Sequence, residues 1–143
     1  MNHSHYTVMF FISIVSGLLS TMNIWADKLE DVRISLNDLY MAQLMTAWMF
    51  LFMGLYYKDT KITLLGLGSV LLNVWYIRTQ FMVTPKQYLE GMIPHHSMAV
   101  HMSRKLIDNQ LTGASTALKT FASNIIKAQE MEIKAMKLAL LQG

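Results

Sequence analysis

Three long runs without a charged residue limit what this chain can fold into more than any other feature. They are Tyr6 to Trp25, Tyr40 to Tyr57 and Ile62 to Ile77. Each comes close to the ~20 residues that cross a hydrocarbon layer of ~30 Å. The third lengthens to residue 80, or at most to Val83, if Arg78 snorkels to the interface. Tyr6, Trp25, Tyr40, Tyr56, Tyr57, Trp75 and Tyr76 stand at the ends of the runs, where amphipathic rings favour the headgroup level. The reading is three transmembrane helices, at about 6–25, 40–57 and 62–80, within a membrane domain spanning residues 1–83. Met1 to His5 carries no Lys or Arg, and Ile24 spoils a small-x-small cleavage site, so the first run is expected to stay as an anchor rather than leave as a signal peptide. Its Ser13, Ser16, Gly17 and Ser20 recur at helical spacing and predict a small-residue face for close helix packing.

Charged residues make up 15% of the chain, below the roughly 25% of soluble domains. The net charge of +3 is mild. No dense basic patch with aromatic platforms is present, so nucleic acid is not an expected partner. Between the first two runs lies a polar connector with Asp27, Lys28, Glu30, Asp31, Arg33 and Asp38.

A helical tail, residues 84–143, follows the spans. Thr84 at a cap, Pro85 at the first helical position and Gln87 three after the cap are concordant start signals. Gly113 predicts a stop, and Ser115 a cap for a second helix reaching about Leu141. Pro94 is expected to kink the first tail helix, because it removes the bond to the carbonyl of Glu90.

The tail also holds the chemistry. Gly91 to Met102 contains three of the five histidines and three of the thirteen methionines. Imidazole with thioether suits copper, above all soft Cu(I), and silver. The run has no Asp or Glu, which argues against Ca²⁺ and Mg²⁺. The chain has no cysteine, which excludes thiolate zinc sites and iron–sulfur clusters. At ~100° per residue, Met92, His95, His96, Ala99 and Met102 share a helix face, with Met98 on its border and His101 pointing away. Ile125, Gln129, Glu132 and Met136 form a stripe on the second helix. Folding the helices back around Gly113 brings Met92 level with Met136, and His96 level with Gln129 and Glu132. The predicted metal set is Met92, His95, His96, Met102 and Met136, with Met98 beside it. Gln129 and Glu132 serve better as acceptors for imidazole N–H groups than as ligands to a soft ion. Buried methionines and histidines are also ordinary core residues, and spacing alone leaves that alternative open.

Two segments carry a resemblance: Tyr88 to Ala99 with Met102, and Ile126 to Met136. Their Met-Ile-x-His-His and Gln-x-x-Glu-Ile-x-x-Met elements resemble the domain of unknown function family 305 over about residues 84–141. Asn37 to Ala47 is similar to a bacterial, multi-span membrane subgroup of that family. The resemblance implies a ferritin-like helical fold, copper binding, and roles for Met92, His95, His96, Met102, Gln129, Glu132 and Met136. Longer members carry two helical halves where this chain has one. The expected fold is therefore all-α: three transmembrane helices, then a two-helix antiparallel hairpin forming half of a ferritin-like four-helix bundle. A homodimer would complete the bundle.

Weaker signals are the Met41, Met45, Met49 and Met53 repeat in the second span, read as packing rather than as a thioether track, and Met1-Asn2-His3 as a terminal chelate. No Glu is followed by His three residues later, and His-Glu-x-x-His is absent, so an enzyme is not expected. The expected function is a membrane-anchored Cu(I) or Ag(I) binding protein for metal handling or tolerance. The alternative is a structural membrane subunit whose His/Met patch packs against a partner. Counting Lys and Arg near the spans favours a cytoplasmic tail. The cysteine-free ligand set and the multi-span relatives favour the opposite. The expectation adopted is a bacterial inner membrane protein with a periplasmic tail.

Overall fold

The computed structural model describes residues 3–108 and 113–142, with side chains described from His5 onward. All regular structure among them is helical: α1 (His3–Leu19), α2 (Leu36–Tyr56), α3 (Thr60–Thr79), α4 (Pro85–Ile107) and α5 (Thr116–Gln142). Short 3-10 turns at Met22–Trp25 and Leu29–Asp31 lie between α1 and α2. The chain divides into two compact units, one of residues 1–21 and 36–83, the other of residues 22–35 and 84–143. The connector thus belongs with the tail, although hydropathy and chain order group it with the spans.

Three helical stretches are long and apolar enough to cross a membrane: His5–Trp25, whose last four residues belong to the second unit, and Leu36–Tyr56 and Thr60–Thr79 of the first unit. The α-helix of the first stretch stops at Leu19, after 17 residues. That is about 25 Å of helix, short of a full hydrocarbon layer. The remaining apolar residues, Met22 to Trp25, form the 3-10 turn of the second unit. Hydropathy sees one continuous run because it weighs composition and not backbone geometry.

Side-chain size sets how closely these helices meet. A Cβ added at Gly66 of α3 would lie 2.4 Å from the Leu51 backbone nitrogen of α2, so only glycine allows this approach. Ser13 and Gly17 of α1 are buried, while Ser16 and Ser20 are exposed, so half of the expected small-residue face is used. Ser13 Oγ donates to Met49 Sδ at 3.0 Å, and Met45 Cε lies against Gly17. Part of the α2 methionine repeat therefore packs on α1. Asp59 caps α3 by accepting from the Lys61 and Ile62 backbone N–H groups. Gln80 ends α3 in a left-handed conformation with φ 50°, which prevents the extension to Val83.

The second unit has a thin apolar core. Ile93, Val100 and Ile133 are buried, with Ile126, Met136 and Leu140 packed against them. Thr84 caps α4 by accepting from Gln87 N–H at 3.2 Å, and Pro85 follows it. Helix α4 continues through Pro94 to Ile107. Gly113 takes φ 85°, a conformation that a side chain would disfavour, and Ser115 Oγ accepts from Leu118 N–H at 3.2 Å.

Polar contacts bind the connector to both tail helices. Asp31 is 2% exposed and accepts from Ser97 Oγ at 2.7 Å. Ser97, fully buried, also accepts from Asp27 N–H at 2.9 Å. Lys137 pairs with both Asp31 and Glu30. Burial works against the Lys137 charge, but hydrogen bonds to Asp31 and Glu30 and their charges outweigh it and hold the ammonium pKa above its ordinary 10.5. Arg104 pairs with Asp27 and Glu130. Within the connector, Arg33 N–H donates to Asn23 Oδ1 at 2.9 Å.

Candidate metal centre

His95, His96 and Ser97 are consecutive on α4, so the helical turn sends them in three directions about 100° apart. Ser97 points into the unit and anchors the connector. His96 turns toward α5, its side chain 13% exposed, with Nδ1 2.9 Å from Glu132 Oε2. The approach is within ion-pair distance without hydrogen-bond geometry at Nδ1, so the carboxylate faces that nitrogen and Nε2 is the one left to a metal. His95 is exposed. Its Nδ1 lies 3.3 Å from the sulfur of Met22 in the connector. The two imidazole centroids are 6.0 Å apart.

The methionines of the predicted set separate. Met92 and Met98 are half-buried on either side of the histidine pair along α4. Met136 packs on the Ile93–Val100–Ile133 core. Met102 is 53% exposed and lines an apolar groove with Trp25, Leu106, Phe121 and His101. Gln129 is half-buried on α5. It is Glu132 that reaches an imidazole, while Glu130 goes to Arg104. The terminal Met1-Asn2-His3 chelate lies outside the described side chains.

Among the described residues, no three His, Asp or Glu side chains converge in a way that could hold a metal ion. A site built only from imidazoles and carboxylates is therefore not formed. What the second unit offers is two imidazoles, one of them with the Met22 thioether beside it. Met22 escaped the sequence reading because it sits inside an apolar run that hydropathy assigns to the first span. Asp27 and Asp31 escaped it because nothing local separates an acid that will be buried from its solvated neighbours Lys28 and Glu30.

Residues 79–140 match the family described as Domain of unknown function (DUF305). The chain is also similar to a protein of Acanthamoeba polyphaga mimivirus described as uncharacterized. The two are 40% identical over 141 residues, which cover 95% of this chain and 91% of the viral one. No solved structure matches the chain.

Proposed function

This chain belongs to the DUF305 family, and from that premise we propose that it is a membrane-anchored copper-binding protein for handling or tolerating the metal. The observation that carries the reading is the His96–Glu132 contact beside His95. A carboxylate on one ring nitrogen orients an imidazole and raises its basicity as a ligand. A thioether in the set biases it toward Cu(I) or Ag(I) over harder ions. The proposed set centres on His95 and His96 with Met92 and Met98 flanking them. Glu132 orients His96 and stays off the metal.

The hairpin of α4 and α5 is read as half of a ferritin-like four-helix bundle, completed by a second copy. Leu118, Phe121, Met131 and Leu138 leave α5 with exposed apolar surface in support of this. The two parts of the second unit emerge after the first span and after the third. Two further crossings, by α2 and α3, return the chain to the same side, so this composition supports a multi-pass protein whose tail lies opposite its N-terminus. The relative is viral and lends no support to a bacterial inner membrane or a periplasm. A second reading, docking to a partner through the His/Met patch, is favoured for Met102 alone, since Met102 lines an apolar groove of about 600 Å³.

The test is the metal content of the full chain, purified with and without added copper. The wild type is expected to retain Cu(I), and His95→Ala combined with His96→Ala to lose most of it. Protons compete for imidazole, so binding should weaken in acid. Unchanged stoichiometry and affinity in the double variant would overturn the proposal.

A further inference from the structure

We propose that Met22 is a metal ligand supplied from the connector, outside the segment that matches the family, and that its thioether makes the centre selective for a soft monovalent ion. This rests on the reading that His95 and His96 bind copper. Ordinary packing does not explain the Met22 position. It is 40% exposed, and the 3-10 turn that holds it contains no buried residue. His95 is exposed as well, so water could satisfy Nδ1 without help from a thioether. The sulfur nonetheless stands 3.3 Å from that nitrogen. Two ligands on one tetrahedral ion, with bonds of about 2.0 Å to nitrogen and 2.3 Å to sulfur, sit about 3.5 Å apart. The observed separation is therefore a ready bite for one ion.

The connector is held where this requires. Ser97 is two residues after His95 on α4; its Oγ accepts from the Asp27 N–H and donates to the Asp31 carboxylate. Arg104 adds its ion pair to Asp27. The turn carrying Met22 is thus tied to the same helix that carries the histidines. Ligation through Nδ1 places the His95 proton on Nε2. With His96 offering Nε2, the centre takes one nitrogen of each kind and a sulfur. Thioether prefers Cu(I) and Ag(I) and adds little for Zn²⁺.

The experiment compares Cu(I) and Zn²⁺ affinities of the full chain in lipid discs, by competition with a chromophoric chelator, for wild type, Met22→Leu and Met131→Leu. Met131 is exposed on α5 and serves as a thioether control. Met22→Leu is expected to weaken Cu(I) binding by about tenfold or more, on the scale of 10–100-fold that even outer-shell partners carry. Its Zn²⁺ affinity and that of Met131→Leu for either ion should stay at wild-type values. An equal loss for both ions would mark a structural role and overturn the proposal, as would no loss at all. If Met22→Leu loses helicity, Met22→Gln replaces it, and the methyl resonance of Met22 in the wild type must shift on adding Ag(I). A wild type that binds no Cu(I) defeats the underlying reading of the histidines. A wild type that binds Cu(I) with Met22 indifferent defeats only this one.

Discussion

In the unit of α1, α2 and α3, helices meet through small residues, with Gly66 against the Leu51 backbone and Gly17 against Ala42. In the unit of connector, α4 and α5, three buried aliphatic residues do the packing and a chain of charges does the joining. The contrast is what the proposed membrane anchoring of the first unit implies. Lipid offers no hydrophobic drive between helices, so contact area and close approach must serve. In water, an apolar core as small as Ile93, Val100 and Ile133 leaves much to the polar contacts, and a buried Asp31 holds only while its partners stay. The difference teaches that the two units should fail for different reasons and under different conditions.

The strongest way to break this contrast is Asp31→Ala. It leaves Lys137 with Glu30 alone and the Ser97 hydroxyl without its acceptor, and loss of one partner of a buried pair costs up to about 3–5 kcal/mol. Limited proteolysis should then cut between Met22 and Ser35 and within α4 and α5, while α1 to α3 keep their protection. If both units open together, their stabilities are not independent.

A smaller effect should come from Gly66→Ala. The new Cβ would meet backbone at 2.4 Å, and overpacking of this kind costs about 1–3 kcal/mol. Gly68→Ala, which meets no atom within 4 Å, should cost nothing measurable. Thermal melting of the detergent-solubilised protein compares the two, and equal behaviour would refute the close-approach argument. The tail should be indifferent to both.

Alkali sharpens the comparison from the other side. Lys137 has its pKa raised in the folded protein, so its stabilising charge is fully present below its ordinary 10.5 and is lost as the pH rises through the higher folded value. Tail protection from hydrogen exchange should therefore fall above about pH 10.5 in the wild type and less steeply in Lys137→Met. The smallest effect belongs to Glu130→Gln, which weakens a partly exposed pair with Arg104. About 1 kcal/mol or less is expected, reduced further by salt. A larger loss in the same melting assay would mean that this pair does more than tie α4 to α5.

The parts of this structure written in short-range signals were legible. Length and charge-free composition are enough to find three helical stretches apolar enough to cross a membrane, though not that the α-helix of the first stops at Leu19. Thr84, Pro85 and Ser115 announce helix starts because a cap is a bond between neighbours in sequence. The His96–Glu132 pairing could be anticipated because helical periodicity and a turn near Gly113 fix which levels face each other. The connector could not. Its contacts join residues 66 and 107 positions apart, and no local pattern tells Asp31 from an ordinary solvated acid. Met22 is the sharpest case, since the apolar neighbours that make it look like a span residue hide that it is beside His95.

The second unit is assembled from two stretches of chain with about fifty residues between them, and this has a consequence for how the protein is made. At synthesis rates of about 5–20 residues per second, Glu30 emerges about 5–20 seconds before Lys137 arrives to meet it, 107 positions later. Throughout that interval the acids wait without their cations. In the proposed membrane-anchored arrangement, they can find them only if both intervening helices have been threaded, since a single missed crossing would leave the early and late stretches on opposite faces of the bilayer. The Asp31–Lys137 and Glu30–Lys137 pairs therefore close only once α5 has been made, so the second unit completes its polar contacts last.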